Sequence, residues 1–520
     1  MLLQNHIFYK FKFFTIQETL SGDGFLSRVQ SFHLGGLVCL NLAVLAVLGG
    51  ATAVEAGHHQ QSGTPEYQQY WHQWRGPTAD GMAIRSSNPP IEWSENQNIR
   101  WKVEIPGDGH ATPIIWKNQI FVLTAVEVRP EEPESSENNI QESNPGKEEE
   151  KKSEDLFFGL SIDQLFDPAQ NQPRGQGRRN EAPKLTLKLT VLALKRADGQ
   201  IQWERVVRET SPHEGTPHQT STWASYSPTT DGEYLYANFG SFGLYCLDLD
   251  GNLQWEVDLG DMRTRNSFGE GSSITLYEDT LVVNWDHEGD SFITALDKRN
   301  GHELWKMDRD ERTSWATPFI TNHTGSPQAI INATNRVRSY DLKSGNVLWE
   351  AGGMTANVIP SPVLDDESGI VYVMSGFRGN ALLAIRLQDA SGDITNSGSI
   401  VWDYGQDTPY VPSPLLYDNN LYFMKNRNGV ISCLDAKTGK VHYGPERLEG
   451  IGDVYASPVG AGGRIYLPDR DGNIAVLKHG ESLEMLTVNR LDDGFSASPA
   501  IVEDEIYLRG HQYLYCITNN

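Results

Sequence analysis

A small residue followed by proline and an apolar run recurs along this chain, and the recurrence constrains its fold more than any other feature. The openers are Ala-Thr-Pro at Pro113 and Pro318, Tyr-Ser-Pro at Pro228, Pro-Ser-Pro at Pro362 and Pro414, and Ala-Ser-Pro at Pro458 and Pro499, with Ser273-Ile274 in the vacant place. Counted from Pro228, successive intervals are 46, 44, 44, 52, 44 and 41 residues. A second marker recurs behind the openers at a fixed delay: an apolar strand, a tight turn ending in glycine, and a short strand carrying tryptophan. It stands at Asp248 to Trp255, Asp297 to Trp305 and Asp341 to Trp349, and in decayed form at Asp435 to Tyr443. A unit of about four short strands has two apolar faces that it cannot bury alone, whereas a ring of such sheets stacks face on face and leaves no long open edge. The expected fold is all-β, an eight-bladed β-propeller with four-stranded blades over residues 97–520. Without an aberrant insert at 127–186, that span gives about 45 residues per blade for eight blades. The last unit ends before any tryptophan strand, while Trp101 lies on a strand ahead of the first opener, so an N-terminal strand is expected to complete the last blade. Trp101, Trp203, Trp255, Trp305, Trp349 and Trp402 are expected to pack between blades.

Charge and targeting bound the partners. With 68 acids against 43 bases and a net charge of −25, the surface repels a nucleic-acid backbone. The apolar run Leu34 to Leu48 follows Lys10, Lys12 and Arg28 and precedes small residues ending at Ala56, so residues 1–56 read as an export signal peptide, with 57–96 a leader segment. At 1.5 Å per residue the run spans about 22 Å, short of a membrane core of about 30 Å, although an uncleaved anchor stays open as the alternative. The expected location is the periplasm or cell envelope. Cys246, Cys433 and Cys516 occupy the same slot in different repeats, where Ala193, Ala295, Ser339, Ala384 and Val476 stand elsewhere, so all three are expected to be buried free thiols. Residues 131–155 hold ten acids and three bases, a composition unable to order itself, and the cluster from Leu156 to Phe166 reads as an amphipathic helix that docks back or meets a partner.

With these markers in view, the chain resembles the PQQ-like (pyrrolo-quinoline quinone repeat) propeller proteins, the group that holds quinoprotein dehydrogenases and the scaffold lipoprotein of the outer-membrane protein assembly machinery. The resemblance rests on the Asp-turn-Gly-strand-Trp pattern and its openers. Gln73-Trp74-Arg75-Gly76-Pro77 also looks like the leader of exported planctomycete-type members. The resemblance implies either a non-enzymatic scaffold in the cell envelope, binding an envelope protein or a small anionic ligand, or a PQQ- and calcium-dependent oxidoreductase.

In a propeller, the loops before the innermost strand and those between the second and third strands converge at one mouth of the channel. Trp285, Arg336, Arg378, Arg427, Asn266 and Arg265 fall in these loops and are the candidate ligand-binding residues, a local positive cluster on an acidic molecule. For the oxidoreductase alternative, Asp286 and Glu288 are the candidate catalytic carboxylates, and Glu270 with Asn266 the candidate metal ligands. The vicinal cysteine pair of alcohol-oxidising quinoproteins and a Cys-x-x-Cys-His haem motif are both missing from the sequence. The scaffold reading, with no cofactor and no catalysis, is therefore preferred.

Overall fold

The structure is a computed structural model that describes residues 66–128, 182–215 and 217–519. The chain divides into two units, Met1–Ser62 and Gly63–Asn520. The export segment and residues 129–181 of the insert, with its apolar cluster, lie outside the described residues.

Eight antiparallel sheets form the propeller, and the all-β, eight-bladed expectation holds. β1 (Ile99–Glu104) is followed by blade 1, a meander of β2 (Ile114–Trp116), β3 (Gln119–Val128), β4 (Thr186–Lys195) and β5 (Ile201–Thr210). Blade 2 holds β6–β9 (residues 229–257), blade 3 β10–β13 (275–308), and blade 4 β14–β17 (319–351). Blade 5 holds β18–β20 and β22 (363–404), blade 6 β23–β26 (415–447), and blade 7 β27–β30 (459–490). In blade 8, β31–β33 (500–517) are joined by β1, which runs antiparallel to β33 with Trp101 opposite Cys516 and Glu104 opposite Tyr513.

Burial explains why the polar–apolar alternation along the strands is weak. The middle strands are covered on both faces by neighbouring blades, so six consecutive residues of β3, Ile120 to Ala125, are buried. The outermost strands meet a neighbour only in part, and β5 is mostly exposed. Cys246, Cys433 and Cys516 are buried free thiols on the third strands.

Two concentric rings of contacts tie blade to blade. On the outside, each tryptophan indole N–H donates to a backbone carbonyl just after the third strand of the next blade. Trp101 reaches Arg196 O at 3.0 Å, Trp203 reaches Leu249 O at 2.9 Å, and Trp255 reaches Lys298 O at 3.0 Å. Trp305 reaches Leu342 O at 2.8 Å and Trp402 reaches Ala436 O at 3.1 Å. The ring lies flat on the turn glycine. At Gly345, with φ of +73°, an added Cβ would stand 2.6 Å from Trp305 Cε3, so both the backbone conformation and the packing require glycine. The turn aspartates hold these turns by accepting backbone N–H groups, as Asp341 Oδ1 does from Ser344 at 2.8 Å.

Trp349 departs from this scheme for a reason visible in the spacing. The 52-residue interval contains an insertion in blade 5 where the turn glycine would be, and the insertion adds β21 (Gly392–Asp393) parallel to β17 (Val347–Ala351). Trp349 is consequently covered to 1 % exposure, and its indole N–H turns to Gln328 Oε1 in its own blade at 3.1 Å.

On the inside, the opener hydroxyls close a circle. The backbone N–H of Thr112 donates to Ser227 Oγ, that of Ser227 to Ser273 Oγ, Ser273 to Thr317 Oγ1 and Thr317 to Ser361 Oγ. The N–H of Ser361 donates to Ser413 Oγ, Ser413 to Ser457 Oγ, Ser457 to Ser498 Oγ, and Ser498 back to Thr112 Oγ1. The eight distances run from 2.9 Å at Thr317 to 3.2 Å at Ser498.

Replacing Trp305 by alanine should cost about 3–5 kcal/mol, read as a lowered urea midpoint at unchanged slope. Deleting residues 97–105 should lower the whole unfolding transition; a separate early phase confined to blade 8 would contradict a closed ring.

Candidate functional site

The openers and the loops between second and third strands meet at one end of the channel and enclose a cavity of about 620 Å³. Seven of the eight opener hydroxyls line it, all but Ser361. Above them stand aromatic rings: Phe268 and Trp315 at 6.5 Å between centroids, Phe377 stacked on Tyr410 at 4.7 Å, and Tyr455. Arg427 and Glu270 are the charged side chains of the wall.

The floor is supplied by the leader segment, whose role does not show in its sequence. Its backbone pairs with blades 1 and 2, where Trp71 O accepts from Ile115 at 2.8 Å and His72 O from Thr230 at 3.0 Å. It then crosses the channel and leaves along blade 7, where the Ala83 N–H donates to Gly460 O at 2.9 Å. Trp74 fills the crossing and faces both the cavity and a smaller pocket on its other side, lined by Thr275, Phe319 and Ser361. Arg75 is buried at 1 % exposure and donates to the carbonyls of Asp80 and Pro414, which ties the leader to blade 6. The Gln73–Pro77 signature thus encodes a plug.

Arg427 and Arg470 gather around Tyr455 at the mouth. Arg427 donates to Asp453 Oδ2 at 2.8 Å and to the Tyr455 hydroxyl at 3.0 Å, and Arg470 lies 4.9 Å from the Tyr455 ring centroid. Burial first, and then proximity to the His511 ring and to the guanidinium groups of Arg470 and Arg509, push His110 down to about 3. His218 is lowered by burial and by Arg427 and Arg470, and His511 by burial and by Arg470 foremost. These histidines are neutral at physiological pH.

The structure gathers some of the candidate residues and disperses others. Arg427, Asn266 and Glu270 line the cavity. Arg265 donates to Asn357 at 3.0 Å, and Arg378 lies over the ring of Phe377, a wall residue. Trp285, expected at the mouth, is instead 1 % exposed, because it ends β11 (Thr280–Trp285) facing the blade interior and stacks on Phe292 at 5.7 Å. Asp286 is also away from the mouth: both oxygens accept from Arg309, at 2.7 and 3.0 Å, and Oδ2 accepts from Ser314 at 2.6 Å. Glu288 Oε1 accepts from the Thr313 hydroxyl at 3.0 Å. Arg336 points to the outside of blade 4, pairing with Glu350 at 3.3 Å and with Asp393 of the blade 5 insertion at 3.1 Å.

A calcium-bound quinone does not fit this arrangement. Glu270, the nearest candidate ligand, has Oε1 taken by the Ser241 hydroxyl at 2.6 Å and Oε2 by the Ser241 N–H and the Tyr226 hydroxyl, and burial raises its pKa. Trp285, Asp286 and Arg336, which would supply the floor, base and quinone contact, face elsewhere. Among the described residues no group of three or more His, Cys, Asp or Glu stands close enough to hold a metal ion.

The fold is an eight-bladed β-propeller, and six of its blades carry a tryptophan on the fourth strand. Residues 188–391 match the family model described as "Outer membrane protein assembly factor BamB". A search of curated proteins finds no match. Among solved structures, BamB from Moraxella catarrhalis is 14% identical with a TM-score of 0.45, over 63% of this chain and 91% of that one. The computationally designed Ika8 protein is 13% identical with a TM-score of 0.45, over 64% and 92%. The quinohemoprotein alcohol dehydrogenase ADHIIG from Pseudomonas putida HK5 is 9% identical with a TM-score of 0.49, over 87% and 80%.

Two tests follow from these placements. Arg309→Met leaves the buried Asp286 carboxylate without its partner and should cost about 3–5 kcal/mol in chemical denaturation. His110, lowered to about 3, and His72, lowered to about 4 by burial, stay neutral in the fold as pH falls, while in the unfolded chain both protonate near 6.5. The unfolded state therefore gains protons that the folded state refuses, so stability falls on acidification below about 6.5. Melting temperatures between pH 7 and 5 should decline, and His110→Gln should flatten the decline; an equal slope in the variant would remove His110 as a cause.

Proposed function

We propose that this chain is an exported, non-enzymatic propeller that serves as a binding scaffold in the cell envelope and takes a small anionic ligand at the mouth of its channel. The observation that carries the reading is the cavity of about 620 Å³, floored by the chain's own Trp74 and walled by aromatic rings, hydroxyls and Arg427. Pockets of this size, largely pre-formed and with few converging polar groups, are the usual seats of small ligands. The carboxylates that catalysis would need are spent on structure: Glu270 on Ser241 and Tyr226, and Asp286 on Arg309. The match of residues 188–391 to an outer-membrane assembly factor model supports export and an envelope setting.

Native mass spectrometry of the full chain, expressed with its export segment and purified without denaturation, tests this. A small-molecule adduct should accompany the protein and disappear in the Arg427→Gln, Trp315→Ala double variant. Saturable heat with PQQ and calcium, together with dye-linked oxidation of an alcohol by the loaded chain, would overturn the non-enzymatic reading.

A further inference from the structure

The circle of opener hydroxyls leaves one half of its hydrogen-bonding capacity unused. A serine or threonine hydroxyl has one hydrogen to donate and two lone pairs to accept with. Each belt oxygen accepts one N–H from the preceding blade, at distances from 2.9 to 3.2 Å. None of the eight hydroxyl hydrogens finds a carbonyl, carboxylate or other acceptor among the described residues: the belt oxygens appear only as acceptors. Yet these side chains are deeply buried, from 2 % exposure at Thr112 to 8 % at Thr317. A buried donor left without an acceptor costs about 1–3 kcal/mol, and eight in one ring would be an unusual burden for a fold to carry. Their acceptors must come from the channel.

We propose that the belt is an oxyanion-binding ring: the hydroxyls of Thr112, Ser227, Ser273, Thr317, Ser413, Ser457 and Ser498 offer their O–H hydrogens to the acceptor oxygens of a carboxylate- or phosphate-bearing ligand seated above Trp74. This rests on the ligand-binding reading above and adds the chemistry of the group that enters deepest. Three observations select an oxyanion over a neutral polyol or a cation. The belt provides donors and no free carboxylate, whereas a sugar hydroxyl must also give its own hydrogen away. The one acid of the wall, Glu270, is already occupied by Ser241 and Tyr226. Arg427 stands on the same wall and adds positive charge. The belt is also uniform in direction, every N–H pointing the same way round. Each accepted N–H polarises the hydroxyl that receives it and strengthens its donation. Trp74 stands in the channel against the belt, so the ligand's charged end meets the ring while its remainder lies among Phe268, Trp315, Phe377 and Tyr410.

Titration calorimetry on the full chain at low salt, with inorganic phosphate, with citrate and with sorbitol in separate runs, tests the assignment. Saturable binding of phosphate or citrate, with none for sorbitol, is expected, and which of the two anions binds tells a phosphate seat from a carboxylate seat. The paired variant Ser273→Ala, Ser413→Ala should weaken the bound anion about tenfold or more, as loss of two hydrogen bonds to a charged group does. The pair Ser273→Thr, Ser413→Thr keeps hydroxyls of a kind the ring already uses at Thr112 and Thr317, and should stay within about threefold of the parent. Since the alanines also strip the N–H groups of Ser227 and Ser361 of their acceptors, the single variant Ser457→Ala provides the same reading if the pair fails to fold. Anion affinity unchanged in the folded alanine variants, or no saturable binding of either anion, would overturn the oxyanion ring. If sorbitol binds while the anions do not, the ring assignment falls and a ligand-binding cavity stands; if no probe binds and no adduct accompanies the purified chain, both fall.

Discussion

The closed circle of backbone N–H to side-chain hydroxyl bonds is the constraint on which the rest of this molecule depends. Each blade gives one donor and one acceptor, so the circle has no beginning and closes only when the last blade meets the first. The innermost strands are three residues or fewer in every blade, too short to hold neighbours together by apolar area alone. A net contribution of about 0.5–1.5 kcal/mol per bond is modest, but its directionality fixes the rotation of each blade about the axis. The proline that usually follows the serine or threonine has no N–H, so no further donor at this radius needs a partner. Where Ile274 replaces it, Ser273 still gives and accepts its two bonds.

Outside this circle the tryptophans set the spacing between blades, and the two rings divide the labour. The inner bonds define angle; the outer rings, flat on turn glycines, define separation. Their exception is instructive. The insertion in blade 5 removes the turn on which Trp349 would have rested, and the same segment returns as β21 to cover that ring from its own side. An edge left open by the lost contact is closed by a strand, a trade of side-chain packing for backbone pairing. Arg336 follows from this trade: the insertion brings Asp393 beside it, and the charge faces the outside of blade 4 instead of the channel.

How far the sequence could be read divides along the same radius. The spacing of openers and tryptophans carried the blade count because packing between blades asks for the same kind of residue at the same place in most units. The candidate site was less legible, since whether a residue at the end of a second strand meets the channel or the blade interior turns on a shift of one residue. Arg427 falls on the channel side, while Trp285 and Asp286 fall inside and are absorbed by Phe292 and Arg309. The openers were visible as small residues; that their hydroxyls form a circle was not, because a side chain that accepts from another blade leaves no mark in its own repeat. Trp74 was hidden for the opposite reason. It occurs once, outside the repeat, and only the path of the leader across the channel reveals its place.

The overall charge and the local charge also separate by radius, and this bears on what the channel can hold. The chain is strongly acidic, with a net charge of −25, yet its mouth holds Arg427 and Arg470 around Tyr455 and keeps its histidines neutral. Surface acids facing water are screened within about 8–10 Å at physiological salt, whereas guanidinium groups inside a walled cavity are not. The interior field is therefore set by the few charges that line it. A single carboxylate, Asp453, accepts from Arg427 at 2.8 Å and lies 3.6 Å from Arg470, so the two guanidinium groups share one counter-charge. On the anionic-ligand reading, these two guanidinium groups, beside a ring of neutral donors and a tryptophan floor, are the positive charge that the ligand meets, while Glu270 on the same wall stays bound to Ser241 and Tyr226.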